Sequence, residues 1–156
     1  MRTLKTPLST LLPGTWLLQS RIDVTASGER HADPLLGEDP VALLIYDRSG
    51  HFSAQFMKRD RSALVEAAVV SVANNTSAQG GYDAYFGTYS VDDAHGTVTQ
   101  RLMGSLSPGN VGMTLTRAMD VHGDSLVIRL ETRAADGTPV TRTLTWSRLG
   151  QTPGSR

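Results

Sequence analysis

The chain contains no cysteine. That absence removes disulfides, thiolate metal ligands and cysteine nucleophiles together, and it fits a reducing compartment. Charge of one sign is missing too: 15 basic residues face 15 acidic ones. With no basic tail or block, nucleic acid is not an expected partner. No apolar run approaches the ~20 residues that span a bilayer. The basic start over residues 1–5 leads only to the stretch 8–12, too short for a signal core and flanked by Pro7 and Pro13. The expected location is therefore cytoplasmic, with no membrane association. No Gly-x-Ser-x-Gly elbow, P-loop or Gly-x-Gly-x-x-Gly occurs, so neither a nucleophile elbow nor a phosphate cradle is expected, and no cofactor. No internal repeat is present.

What is there is two-residue alternation punctuated by turn chemistry. The 156 residues suit one domain. Turns are marked by Asp47-Arg48-Ser49-Gly50, Asp92-Asp93-Ala94-His95-Gly96, Ser107-Pro108-Gly109-Asn110, Val121-His122-Gly123-Asp124 and Ala135-Asp136-Gly137-Thr138-Pro139. Each supplies a glycine for positive φ, with Asp, Asn or Pro nearby. Between them, segments rich in Val, Ile, Thr, Tyr and Leu predict eight strands, at 14–24, 41–47, 51–58, 86–92, 97–106, 111–120, 125–133 and 140–148. Eight hairpin-linked strands fit an all-β, antiparallel up-and-down barrel, because closure removes exposed edges. The segment 60–85 breaks the pattern. Ala63, Leu64, Ala67, Ala68 and Val72 repeat at helical spacing, and Thr76-Ser77-Ala78-Gln79 reads as a capping box opening a second short helix through Tyr85. A helical insertion between the third and fourth strands is expected to close one barrel end, or to lie on the surface.

All four histidines, His31, His51, His95 and His122, fall in predicted loops or turns. Turns at different barrel ends do not converge as metal ligands must, so no metal site is expected, nor a Ser-His-Asp triad. Asp47, Asp92, Asp93, Asp120, Asp124 and Asp136 read as turn residues. Glu38 and Asp39, in the loop before the second strand, are candidates for lining a mouth.

Gly14-Thr15-Trp16 at the first strand has the Gly-x-Trp form of the lipocalin signature. Gly37-Glu38-Asp39-Pro40-Val41 then leads into Leu44-Ile45-Tyr46, and Tyr82-Asp83-Ala84-Tyr85-Phe86-Gly87-Thr88-Tyr89 follows the insertion. Gly96-Thr97-Val98-Thr99, Gly104-Ser105-Leu106, Arg117 and Trp146 complete the set. Together these resemble the bacterial and fungal lipocalin-like domain family of short stand-alone, calycin-type barrels. The resemblance covers residues 11–149 and implies a single barrel domain there, with flexible termini at 1–10 and 150–156. It also implies a lumen that binds or reshapes a small molecule, in some relatives beside secondary-metabolite biosynthesis enzymes. Two departures stand out. Relatives often carry His where this chain has Gln100 and Arg101, and often an aromatic residue where it has Pro108-Gly109-Asn110-Val111.

Lumen candidates follow from alternation. Met113, Leu115, Arg117 and Met119 share one face of the sixth strand. A buried guanidinium is costly unless paired, so Arg117 has two readings. Either it binds a ligand carboxylate or enolate oxygen through its planar fork, or it stacks on Trp16 or pairs with a protein acceptor, as the structural arginine of lipocalins does. On the third strand, Ser53, Gln55 and Met57 lie opposite Phe52, Ala54 and Phe56; the resemblance favours Gln55 inside. Val98, Gln100, Leu102 and Leu106 share a face of the fifth strand, and Tyr85, Gly87, Tyr89 and Val91 a face of the fourth. The candidate ligand-binding set is Trp16, Tyr46, Gln55, Tyr85, Gln100, Met113, Leu115 and Met119. Arg117 and Tyr89 are the candidate catalytic pair. An apolar cavity with a few placed polar groups is the usual small-molecule site. The first expectation is binding of a small, largely apolar or amphipathic molecule. The alternative is a cofactor-free isomerase, cyclase or lyase acting on a polyketide- or terpenoid-like intermediate. A third reading is a filled barrel that acts through its surface. Strand edges at imperfect closure would support a homodimer.

Overall fold

The computed structural model describes residues 5–31, 35–62, 74–76, 78–134 and 136–150. A short helix, α1 (Leu8–Leu11), precedes β1 (Gly14–Thr25), β2 (Val41–Tyr46), β3 (His51–Met57), β4 (Tyr82–Asp92), β5 (Thr97–Ser105), β6 (Thr114–His122), β7 (Ser125–Arg133) and β8 (Pro139–Arg148). Each strand pairs antiparallel with the next and β8 returns to β1, so the sheet closes into an eight-stranded barrel. The expected all-β up-and-down architecture is the one observed. No helix among the described residues is long and apolar enough to cross a membrane.

The helical insertion is the main difference. The spacing over residues 63–73 lies outside the described residues. The second helix, expected through Tyr85, is instead a turn and the start of β4. Gln79 and Tyr82 bridge each other, and Gly80 and Gly81 take φ of 59° and 74° to make that turn, a region open to glycine at little cost. The only helix longer than one 3-10 turn among the described residues is α1, before β1.

The barrel has a floor and a mouth. The β2–β3, β4–β5 and β6–β7 turns gather at the floor, which α1 covers. Ser9 fastens α1 by donating from its N–H and hydroxyl to Asp93, at 2.8 and 2.6 Å. Below α1, Trp16 is fully buried and donates to the Leu12 carbonyl at 3.0 Å. Arg148 lies over its ring, 4.3 Å from the centroid, and donates to the Pro13 and Leu11 carbonyls. The longer connections open at the mouth.

Two bulges set what points inward. On β1 the pairing steps from Leu18↔Trp146 to Ser20↔Thr145, so Gln19 is extra. Beyond it the alternation switches, and Arg21 and Asp23 pair with the inward-facing Leu144 and Arg142. Between β4 and β5 the step falls after Phe86↔Gly104. Met103 is the extra residue, which turns Leu106 outward, where it is exposed rather than sharing the Leu102 face.

Candidate functional site

The interior is apolar along most of its length, with charged and polar groups towards the mouth. Trp16, Trp146, Tyr46, Val98, Leu102, Leu115 and Leu126 are essentially inaccessible. Nearer the mouth, Phe56, Leu130 and Leu18 retain 8–9% exposure although they face inward. Tyr85, on the same inner face of β4 as Gly87, is only half-buried.

Charged and polar groups cluster there. Arg142 and Asp23 form a buried two-pronged ion pair across β8 and β1, at 2.8 and 3.0 Å. Two parallel charge-assisted hydrogen bonds join them, which is what makes burial of both charges tolerable. Arg117 on β6 is different. It is 7% exposed, and its one hydrogen bond among the described residues runs from Nη1 to the neighbouring Thr116 carbonyl at 3.1 Å. Burial lowers its pKa. The phenols of Tyr85 and Tyr46 pull it back up, and Arg142 pushes it further down. A second charged group, Asp83 on β4, is 4% exposed. Thr76 donates its hydroxyl to Oδ2 at 2.6 Å, whereas Oδ1 is buried with no hydrogen-bond partner among the described residues. Burial raises the Asp83 pKa to about 6, against the lowering effects of Thr76, the Ala84 N–H and Arg21. The Trp146 indole N–H is also buried, with no hydrogen-bond partner among the described residues.

Of the candidate residues, the fold gathers Arg117, Tyr85, Tyr46, Gln100 and Met119 inside. Three of these are engaged with one another. Gln100 donates its amide to the Tyr46 hydroxyl at 2.5 Å, which in turn donates to the Met119 sulfur at 3.9 Å. Burial pushes the Tyr46 phenol far above its usual range. Tyr85 is pushed up to about 12, by burial first and by Asp83 second, with Arg117 pulling it back. Met113 lies half-buried at the mouth, ahead of β6.

The remaining candidates lie elsewhere in the fold. Gln55 faces outward and is exposed, accepting from the Tyr82 hydroxyl on the outer wall. Hydrophobicity decides the face of β3, with Phe52, Ala54 and Phe56 turned in. Tyr89 faces inward near the floor, and its hydroxyl donates to the Asp47 carbonyl of the β2–β3 turn at 2.6 Å. Trp16 and Leu115 are sealed in packing. The stacking on Trp16 belongs to Arg148, not Arg117. Glu38 does line a cavity, of about 250 Å³, near the mouth with Arg21, Asp23, Arg30 and His31, whereas Asp39 pairs with Arg59 at 3.0 Å. Each histidine sits beside a different aspartate: His31 by Asp136, His51 by Asp47, His95 by Asp92 and His122 by Asp120. Asp47, Asp92 and Asp136 do hold their turns, accepting from backbone N–H groups two to four residues on.

Asp83, Asp23 and Arg142 were not anticipated. Arg142 had a signal, since Val140, Arg142, Leu144 and Trp146 alternate on one face of β8. So did Asp83, two residues before Tyr85, had 82–85 been read as strand. Asp23 had none, because only the bulge at Gln19 brings it inside.

A family model described as a lipocalin-like domain matches residues 13–149. No curated protein matches the chain at a significant level.

Proposed function

Because the chain belongs to the lipocalin-like domain family, a family of ligand-sized barrels, we propose that it binds a small, largely apolar organic molecule in the mouth half of its lumen. The carboxylate or carbonyl oxygen of that molecule meets Arg117. One observation carries the reading: among the described residues Arg117 is a buried guanidinium with a single backbone partner, while the structural role open to it is filled by Arg148. A planar fork of five donors that uses one is poised for a bidentate oxygen ligand. Phe56, Leu130 and Leu18 supply the apolar wall.

The test compares decanoate with 1-decanol, following tryptophan fluorescence and native mass spectrometry. Decanoate binds the wild type, and Arg117→Gln weakens it by about tenfold to a hundredfold, the loss of a charge-assisted hydrogen bond. Decanol affinity is unchanged in that variant. Equal weakening of both ligands, or failure of either to bind the wild type, rejects Arg117 as the anchor.

A further inference from the structure

The outer wall of the barrel is uneven. An antiparallel strand with one face in water alternates apolar and polar residues. β8 does so, turning Thr141, Thr143, Thr145 and Ser147 outward. β2 does not. Its outward residues are Val41, Leu43 and Ile45, and its inward ones Ala42, Leu44 and Tyr46. The register extends this apolar face over four strands. Ile45, Ser53, Phe86 and Gly104 lie level on β2, β3, β4 and β5, with the bulge residue Met103 beside them. Leu43, Gln55 and Ala84 form the next row towards the mouth, which Leu106 completes by donating its N–H to the Ala84 carbonyl at 2.8 Å. Neither row contains a charge. Of the six large apolar residues exposed among the described residues, Ile45, Phe86, Met103 and Leu106 all lie here, at 38–58%. Polar groups border the patch. Asp47, His51, Thr88 and Arg101 lie level on its floor side, and Tyr82, with Arg61 over its ring, on its mouth side.

Strand spacing makes the patch roughly 20 Å square once side chains are counted, or about 400 Å². Patches of this size are often functional surfaces. A standard interface buries about 800 Å² per partner, apolar at its centre and polar at its rim, so the patch with its border has the size of one half of a dimer. We propose that it is a homodimer interface, with a two-fold axis lying in the wall, parallel to the strands and between β3 and β4. That axis sets β4 of one copy against β3 of the other, and β5 against β2. Phe86, which protrudes, meets the partner's Ser53, which is small. Leu43 meets the partner's Leu106. Ile45 meets the ring that the partner folds over Gly104, a ring lying 2.4 Å from where a Cβ on that glycine would be. At the border Arg101 faces the partner's Asp47, whose side chain is 52% exposed, so opposite charges meet at the rim. Every contact is reciprocal, as a two-fold interface requires, and with a formal net charge of zero two copies approach without long-range repulsion.

Sedimentation velocity tests the proposal. Interfaces of this size hold at micromolar concentration or below, so the wild-type dimer fraction rises between about 1 and 100 µM. Phe86→Asp raises the dissociation constant about a hundredfold by burying an unpaired charge; Ile45→Asp does the same, should circular dichroism show Phe86→Asp unfolded. Arg101→Glu, which sets a carboxylate opposite Asp47, raises it about tenfold. Thr141→Asp, on the far wall, leaves it unchanged. The chain has no cysteine of its own, so Ser53→Cys, next to the axis, is joined to its copy by a short bis-maleimide, and Thr141→Cys is not. A wild type that stays monomeric over that range refutes the interface, as does a dimer that survives both Phe86→Asp and Ile45→Asp. If the monomer instead binds phosphatidylcholine vesicles and Phe86→Asp does not, the patch faces lipid and the proposal falls. If Arg101→Glu dimerises as the wild type does, or Ser53→Cys is not cross-linked, the copies meet elsewhere and the proposal falls as well.

Discussion

Asp83 gives the barrel a pH signature of its own. Its folded pKa, about 6, lies above the ordinary 3.8, so the folded state holds the proton more tightly than the unfolded chain. Stability from this group therefore falls as pH rises from 4 to 6 and levels off above, by about 3 kcal/mol at one pKa unit per 1.36 kcal/mol. The turn carboxylates act in the opposite sense. Asp47, Asp92 and Asp136 have lowered pKa values, from hydrogen bonds to His51, His95 and Thr138 first, and their contribution is lost only as pH drops below 3.8. The expected outcome is that Asp83→Asn is more stable than the wild type at pH 7.5 by about 2 kcal/mol and nearly equal to it at pH 4.5. Urea unfolding at the two pH values checks this; equal stability at pH 7.5 would contradict it. The lumen was legible only in part at this scale. The inward face of β6 could be read because Met113, Leu115 and Met119 flank Arg117 with apolar neighbours. Asp83 was hidden by a capping-box pattern at residues 76–79, where the chain makes a glycine turn instead.

At the scale of elements, the strands were readable because each buries one face and each turn has its own chemistry. The bulges were not, since an extra residue leaves no mark in an alternating pattern. The β4–β5 bulge nonetheless depends on one residue. A Cβ on Gly87 would sit 1.8 Å from the Arg101 carbonyl oxygen, and backbone cannot yield. The nearest atoms to a Cβ on Gly104 belong to the Phe86 ring, at 2.4 Å, and that ring is a side chain exposed to solvent rather than backbone. Gly87→Ala is expected to cost about 3 kcal/mol or more through overpacking, and Gly104→Ala about 1 kcal/mol. Thermal unfolding of the two variants checks the order; a Gly104→Ala loss as large as that of Gly87→Ala would mean that the bulge is not what Gly87 protects.

For the molecule as a whole, closure depends on the seam between β1 and β8. Its register runs from Trp16↔Arg148 to Thr25↔Val140, so the first strand must find the last across the whole chain. Loop closure of that length is paid in entropy before any contact rewards it. Joining the two ends and opening the chain at the Gly123–Asp124 turn makes β8–β1 a local hairpin. Such a permutant is expected to keep the same barrel by circular dichroism and to refold faster in stopped-flow tryptophan fluorescence. An equal or slower rate would show that closure of β1 on β8 does not limit folding. The seam also carries the Asp23–Arg142 pair, so the charged lumen is complete only when the barrel is.

The floor has a practical consequence. Leu149 donates to Thr15, and Arg148 reaches Leu11 and Pro13, so both ends of the described chain leave from the side opposite the mouth. A tether, a reporter domain or a solid support attached at either end would hold the barrel with its opening facing the solution. The same scaffold could thus be mounted as a sensor without obstructing the lumen it reports on.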